Sequence, residues 1–101
     1  MSGHTENAES ARAPDLSLVM PCYNEEMVAT RTIDRLIAAF GEAGHTLEVV
    51  AVDNGSDDGT LGALHDCADR HREVSVVRVA RNRGYGYGVL TGLPHGRAPW
   101  L

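Results

Sequence analysis

The pair Asp53-Asn54 ends an apolar run, LEVVAV, and opens the polar stretch DNGSDDGT. A carboxylate and an amide at the lip of a buried strand can accept hydrogen bonds from a base N–H or from ribose hydroxyls, and the amide can also donate. Turn chemistry claims some of the same residues: it accounts for Gly55, with Ser56 or Asp58 placed to cap a following helix. Two polar side chains directly on the strand end exceed what a turn requires. A second group, Pro21, Tyr23 and Glu25, follows another apolar run, LSLVMP. Pro21 sets the angle at which the loop leaves the strand. Tyr23 offers a ring able to stack on a nucleobase, and Glu25 adds a carboxylate. Taken singly, Tyr23 also reads as a packing residue and Glu25 as a partner of a helix dipole. Facing one another across a crevice, Pro21, Tyr23, Glu25, Asp53 and Asn54 outline a pocket for a base and its ribose.

Other segments carry weaker signals. RNRGYGYG spaces Gly84, Gly86 and Gly88 two apart, which permits close backbone approach to a ligand. The dinucleotide fingerprint GxGxxG belongs after a first strand, and this segment follows a third. Asn54, Ser56, Asp58 and Gly59 imitate the start of a calcium loop. His65 then occupies the twelfth place, where a bidentate glutamate is required. His4, His45, His65, His71 and His95 are scattered, and the two cysteines, Cys22 and Cys67, have no histidine at zinc-ligand spacing. Cys22 beside a helix start reads as a packed thiol, because no histidine accompanies it in that loop.

The elements that must position these residues follow from hydrophobic period. Leu16–Pro21, Leu47–Val52 and Val74–Val79 have the length and composition of strands. Asn24 is expected to cap a first helix, in which Ile33, Leu36, Ile37 and Phe40 form one apolar face and which Gly41 and Gly44 close. Leu61, Leu64 and Ala68 mark a second helix running to about Arg72. Residues 80–88 read as a glycine-rich loop, Val89–Leu93 as the start of a short third helix, and Trp100-Leu101 as the opening of a fourth strand. Alternating strands and helices imply an α/β domain with a parallel sheet and right-handed crossovers, β-α-β-α-β-loop-α. Ligands of such sheets bind at the carboxyl ends of the strands, where both polar groups fall.

Composition narrows the classes. Residues 1–15 lack an apolar run and read as a flexible tail, leaving 16–101 as the folded unit. No stretch resembles a signal peptide or a membrane span, and cysteine usage suits a reduced, cytoplasmic chain. Net charge is −5, yet all fourteen carboxylates lie at or before Glu73, while Arg78, Arg81, Arg83 and Arg97 follow it. That basic third suits a diphosphate, or it is a solvated surface. Nothing in the pattern suggests nucleic-acid binding.

Taken in order, LSLVMPCYNEE, VVAVDNGSDDGT and RNRGYGYGVLTGL resemble the N-terminal half of family-2 glycosyltransferases with the GT-A fold, most of all the polyprenyl- or dolichyl-phosphate mannose or glucose synthase branch. The resemblance covers residues 16–93. It implies a site for a UDP- or GDP-sugar donor lined by Pro21, Tyr23, Glu25, Asp53 and Asn54, and transfer of the sugar to an acceptor such as a polyprenyl phosphate or glycan. Asn54 stands where many members have an aspartate, and Gly88 where alanine is common. The family's Asp-x-Asp, which holds Mg2+ or Mn2+ on the donor diphosphate, is expected beyond Leu101, so no catalytic residue is nominated and the chain alone is expected to be inactive. The family's strand order, three-two-one-four, would leave the first strand an exposed edge open to self-association, and a longer enzyme could be membrane-associated. The rival reading is a small nucleotide-binding or interaction module without transfer chemistry.

Overall fold

A computed structural model of the protein describes residues 13–98. The elements are β1 (Leu16–Cys22), α1 (Ala29–Glu42), β2 (Leu47–Asn54), α2 (Thr60–Arg70), β3 (Val74–Val79), α3 (Tyr85–Gly92) and a 3-10 turn, Leu93–His95. The strands form one sheet in the order β1-β2-β3 with both pairings parallel. The expected α/β class and the expected three-two-one order are both present. Most of the expected tail (residues 1–12) and the expected fourth strand at Trp100-Leu101 lie outside the described residues.

β2 is central and buried along its whole length. Strand side chains alternate between faces, and here each face has its own cover. Val49 and Ala51 join Ile33 of α1 and Leu64 and Cys67 of α2 in one apolar cluster. Val50 and Val52 join Val19, Val77 and Val79 in a second cluster on the opposite face. α3 lies over that second face so closely that a Cβ on Gly92 would sit 2.5 Å from Val19 Cγ1 and 2.9 Å from Val52 Cγ2. Two helices cover one face and one helix the other.

β1 reaches one residue past the expected Pro21 and α2 stops at Arg70, and three further boundaries differ from expectation for a tertiary reason. β2 runs two residues past Val52, because Asp53 and Asn54 still pair with Arg78 and Val79. α1 begins at Ala29 and not after Asn24, since Asn24 adopts a left-handed φ of 50°, which asparagine tolerates better than most residues. α3 begins at Tyr85, so Gly86 and Gly88 are helical and not part of a loop. Glycine is a poor helix former; at Gly88 and Gly92 the helix seats so near the sheet that a Cβ would be crowded, whereas one on Gly86 would meet nothing within 4 Å. The end of α1 matches the sequence: Gly44 takes φ 81°, Gly44 N–H donates to Gly41 O, and His45 N–H donates to Phe40 O. Those two bonds are the paired bonds of a Schellman cap.

At the amino ends of the strands, Glu48 is buried and accepts hydrogen bonds from Ser17 Oγ at 2.6 Å, Arg97 N at 2.8 Å and Arg97 Nε at 3.0 Å. Burial raises the Glu48 carboxyl, but these donors outweigh it and hold the group below its ordinary value. This cluster ties the chain after α3 back onto β1.

Candidate functional site

Parallel pairing places the carboxyl ends of all three strands on one rim, and the loops there are bonded to one another. Asn24 N–H donates to Ser56 Oγ (3.0 Å), Asp57 N–H to Asn24 Oδ1 (2.9 Å), Glu25 N–H to Thr60 Oγ1 (2.8 Å) and Gly59 N–H to Glu26 Oε1 (3.0 Å). The loop after β1 is thus stitched to the loop after β2. Gly55, with φ 74°, meets the third loop: a Cβ there would lie 2.3 Å from Asn82 N. Only glycine permits both the left-handed φ and that approach.

Between these loops lies an open cleft of about 350 Å³, lined by Pro21, Cys22, Tyr23, Glu25, Asn54 and Asn82. Four of the five residues expected from sequence therefore share one cavity. Tyr23 is 43% exposed, so its ring is free to meet a ligand. Glu25 Oε1 accepts from Tyr23 N–H at 3.3 Å, which braces the loop. Pro21 and Asn54 both face α3: a Cβ on Gly88 would stand 3.1 Å from Pro21 Cβ and 3.3 Å from Asn54 Nδ2.

The strand pleat separates the fifth residue from the others. Asp53 is buried (1% exposed) on the face of α1 and α2, where it accepts from Ser56 N–H at 3.4 Å. It does not line the cleft. Its neighbour Asn54 is 3% exposed and turns toward α3. Asn54 Nδ2 donates to Gly84 O at 3.1 Å, while its Oδ1 is buried without a hydrogen-bond partner. A buried amide oxygen left unpaired costs about 1–3 kcal/mol. The Gly84 bond fixes the amide and leaves Oδ1 as the unsatisfied acceptor of a cleft-lining residue.

Sequence reasoning passed over Asn82 and Cys22 as cleft residues. Asn82 accepts from Gly84 N–H at 2.7 Å, forming the turn into α3. Its signal was its place in RNRG, between Arg81 and Arg83, after the third strand. The Cys22 thiol is pushed up to about 12 by burial and then by the charges of Glu25 and Asp53, so it contributes a wall and not a nucleophile. Asn24 carries a different duty from the one expected: it bridges two loops and does not cap α1. Glu26 accepts from Gly59 N–H at the amino end of α2. Asp58 accepts from both the N–H and Oγ1 of Thr60, but the N-cap of α2 is Gly59, which has no side-chain cap bond, so neither Ser56 nor Asp58 takes the expected capping position.

The model for "Glycosyl transferase family 2" matches residues 17–101. An undecaprenyl-phosphate 4-deoxy-4-formamido-L-arabinose transferase of Edwardsiella ictaluri is 37% identical over 82 residues, covering 79% of this chain and 25% of that protein. A dolichyl-phosphate beta-glucosyltransferase of Drosophila melanogaster is 30% identical over 92 residues, covering 84% of this chain and 28% of its own. Among solved structures, a mannosyltransferase from Pyrobaculum calidifontis in complex with GDP-Man and Mn2+ superposes with a TM-score of 0.69 at 28% identity, covering 86% of this chain and 26% of that one. The chain spans about a quarter of the length of these relatives. A family match over most of the chain, together with the parallel α/β rim it predicts, shows that this chain belongs to glycosyl transferase family 2.

Proposed function

We propose that residues 16–101 form the donor-nucleotide-binding part of a glycosyltransferase that takes a UDP- or GDP-sugar and passes the sugar to an acceptor such as a polyprenyl phosphate or a glycan. The observation that carries this reading is Asn54 Oδ1, a buried acceptor without a partner on the wall of the rim cleft. A uracil or guanine ring N–H supplies the missing donor. Tyr23, at the mouth of the same cleft, offers a stacking face for the base, with Pro21 beneath and Glu25 within reach of the ribose hydroxyls. Arg81 and Arg83 flank Asn82 and are exposed on the third loop, which suits a diphosphate leaving the cleft on that side. Asp53 supports the site from below by holding the turn at Ser56.

The mannosyltransferase neighbour holds Mn2+, and a divalent metal neutralising the diphosphate would serve the same transfer chemistry. The described residues of this rim do not fit such an ion. Glu25 is the one carboxylate lining the cleft and Asp53 is buried on the Ser56 amide, so this rim offers too few carboxylates to hold the ion. In our reading the metal ligands, the acceptor site and the general base of the whole enzyme lie outside these residues, and the chain by itself binds without transferring.

Titration of the isotopically labelled chain with UDP and with GDP, followed by NMR, tests the reading. Shifts are expected at Tyr23, Asn54 and Asn82, saturating for one nucleotide at lower concentration than for AMP. Shifts confined to the arginines, or equal for all nucleotides, would mean that phosphate charge alone is being sensed and that the cleft does not read a base.

A further inference from the structure

Away from the rim, α1 and α2 pack side by side and bring together three side chains that the sequence keeps 33 and 37 residues apart. Asp34 comes from α1, Cys67 from α2 and His71 from the position that ends α2. His71 Nε2 lies 2.8 Å from Asp34 Oδ1 and Cys67 Sγ lies 4.0 Å from the same oxygen. The three ligand atoms all fall within 4.8 Å of one another. Cys67 and His71 are four residues apart, one helical turn, and share a face, a ligand spacing that the sequence reading passed over when it found no histidine placed for zinc with either cysteine.

We propose that Asp34, Cys67 and His71 form a binding site for a single Zn2+ ion that clamps α1 to α2. The donor set of one thiolate, one imidazole and one carboxylate is the mixture that Zn2+ takes in tetrahedral sites. With metal–ligand bonds of about 2.0–2.3 Å, tetrahedral geometry places His Nε2 about 3.3 Å, and Cys Sγ about 3.5 Å, from the carboxylate oxygen. The imidazole has to open by about half an ångström and the thiol to close by about the same, within the reach of side-chain torsions. Binding releases the thiol proton to solvent and takes the imidazole with its Nε2 lone pair free and its proton on Nδ1. Cys67 forms the buried floor of the site, while the side chains of Asp34 and His71 are 38% and 24% exposed. That opening gives the ion an entry path and leaves room for a water as fourth ligand. Arg70 Nη1 lies 3.3 Å from both Asp34 oxygens, so it can stay on Oδ2 and orient the carboxylate while Oδ1 takes the ion.

An Arg70–Asp34–His71 ion-pair cluster explains the carboxylate's position without any metal, and the test has to separate the two. The full chain, reduced and chelator-treated, is titrated with Co2+ as a spectroscopic stand-in for Zn2+. One equivalent is expected to produce a thiolate-to-metal charge-transfer band and the strong visible bands of four-coordinate Co2+, both erased by one equivalent of Zn2+. Cys67→Ser should remove the charge-transfer band, and His71→Gln, at a partly exposed position that leaves the core intact, should weaken binding at least tenfold. Zn2+ should also raise the melting temperature of the unmodified chain but not of His71→Gln. A folded chain that gives only the weak spectrum of six-coordinate Co2+, or a thiolate band that survives Cys67→Ser, overturns the proposal.

Discussion

Replacing Asn54 by leucine separates the cost of the unpaired amide oxygen from its use. Leucine has nearly the same shape, and the position is 3% exposed. The substitution removes the bond from Nδ2 to Gly84 O, a net loss of about 0.5–1.5 kcal/mol. Gly84 is exposed, so its carbonyl recovers a water. The same substitution also removes the buried, unpartnered Oδ1, a relief of about 1–3 kcal/mol. The second range is centred above the first, so stability should hold or rise slightly. Nucleotide affinity should move the other way. Losing one neutral hydrogen bond of about 1 kcal/mol weakens Kd roughly fivefold. Urea unfolding of both proteins, with calorimetric titration of UDP and GDP, measures the two quantities independently. A destabilisation above about 2 kcal/mol would show that Oδ1 is paired in the free protein and that the premise is wrong. An unchanged Kd would show that this oxygen does not meet the base.

Gly92→Ala and Gly62→Ala should have opposite signs. Both are helical glycines, and alanine favours the helix by about 1 kcal/mol, but a Cβ on Gly92 meets Val19 and Val52 while one on Gly62 meets nothing within 4 Å. Overpacking costs about 1–3 kcal/mol, so Gly92→Ala should melt lower than Gly62→Ala, and the reverse order would disprove the close seating of α3. The Glu48 carboxyl is held below its ordinary value of 4.5, so its contribution to stability is complete above that pH and is lost as pH falls through the depressed value. Acid unfolding of Glu48→Gln should therefore start from a less stable state at pH 7 and depend less steeply on pH below about 4.5. Among the described residues no strand pairs with the outer edge of β1. Sedimentation should show concentration-dependent association of the isolated chain, and a strict monomer at high concentration would refute it.

Much of the rim was legible because it follows from chain direction. Apolar runs such as LEVVAV announce strands buried on both faces, alternation with helical periods makes them parallel, and parallel strands share one carboxyl end. Pro21, Tyr23, Glu25 and Asn54 met in one cleft on that basis alone. Asp53 did not follow them, although it is adjacent to Asn54, because the pleat sends neighbouring side chains to opposite faces. The alternation is visible in sequence, but which face α3 would cover is not.

The start of α3 was misread for a related reason: its glycines look like a loop until one sees the helix seated on the sheet, with Gly88 against Pro21 and Gly92 against Val19 and Val52. Local residue types thus determined the alternation of strands and helices, the motifs that carry the family resemblance and the chemistry available at the rim. Only the tertiary structure decided that Asn24 and Glu26 bond to the neighbouring loop, that one amide oxygen is left without a donor, and that Asp34 meets Cys67 and His71. Each of those depends on the distance between side chains from separate elements, a quantity set by how helices seat on the sheet and one that local periodicity does not encode.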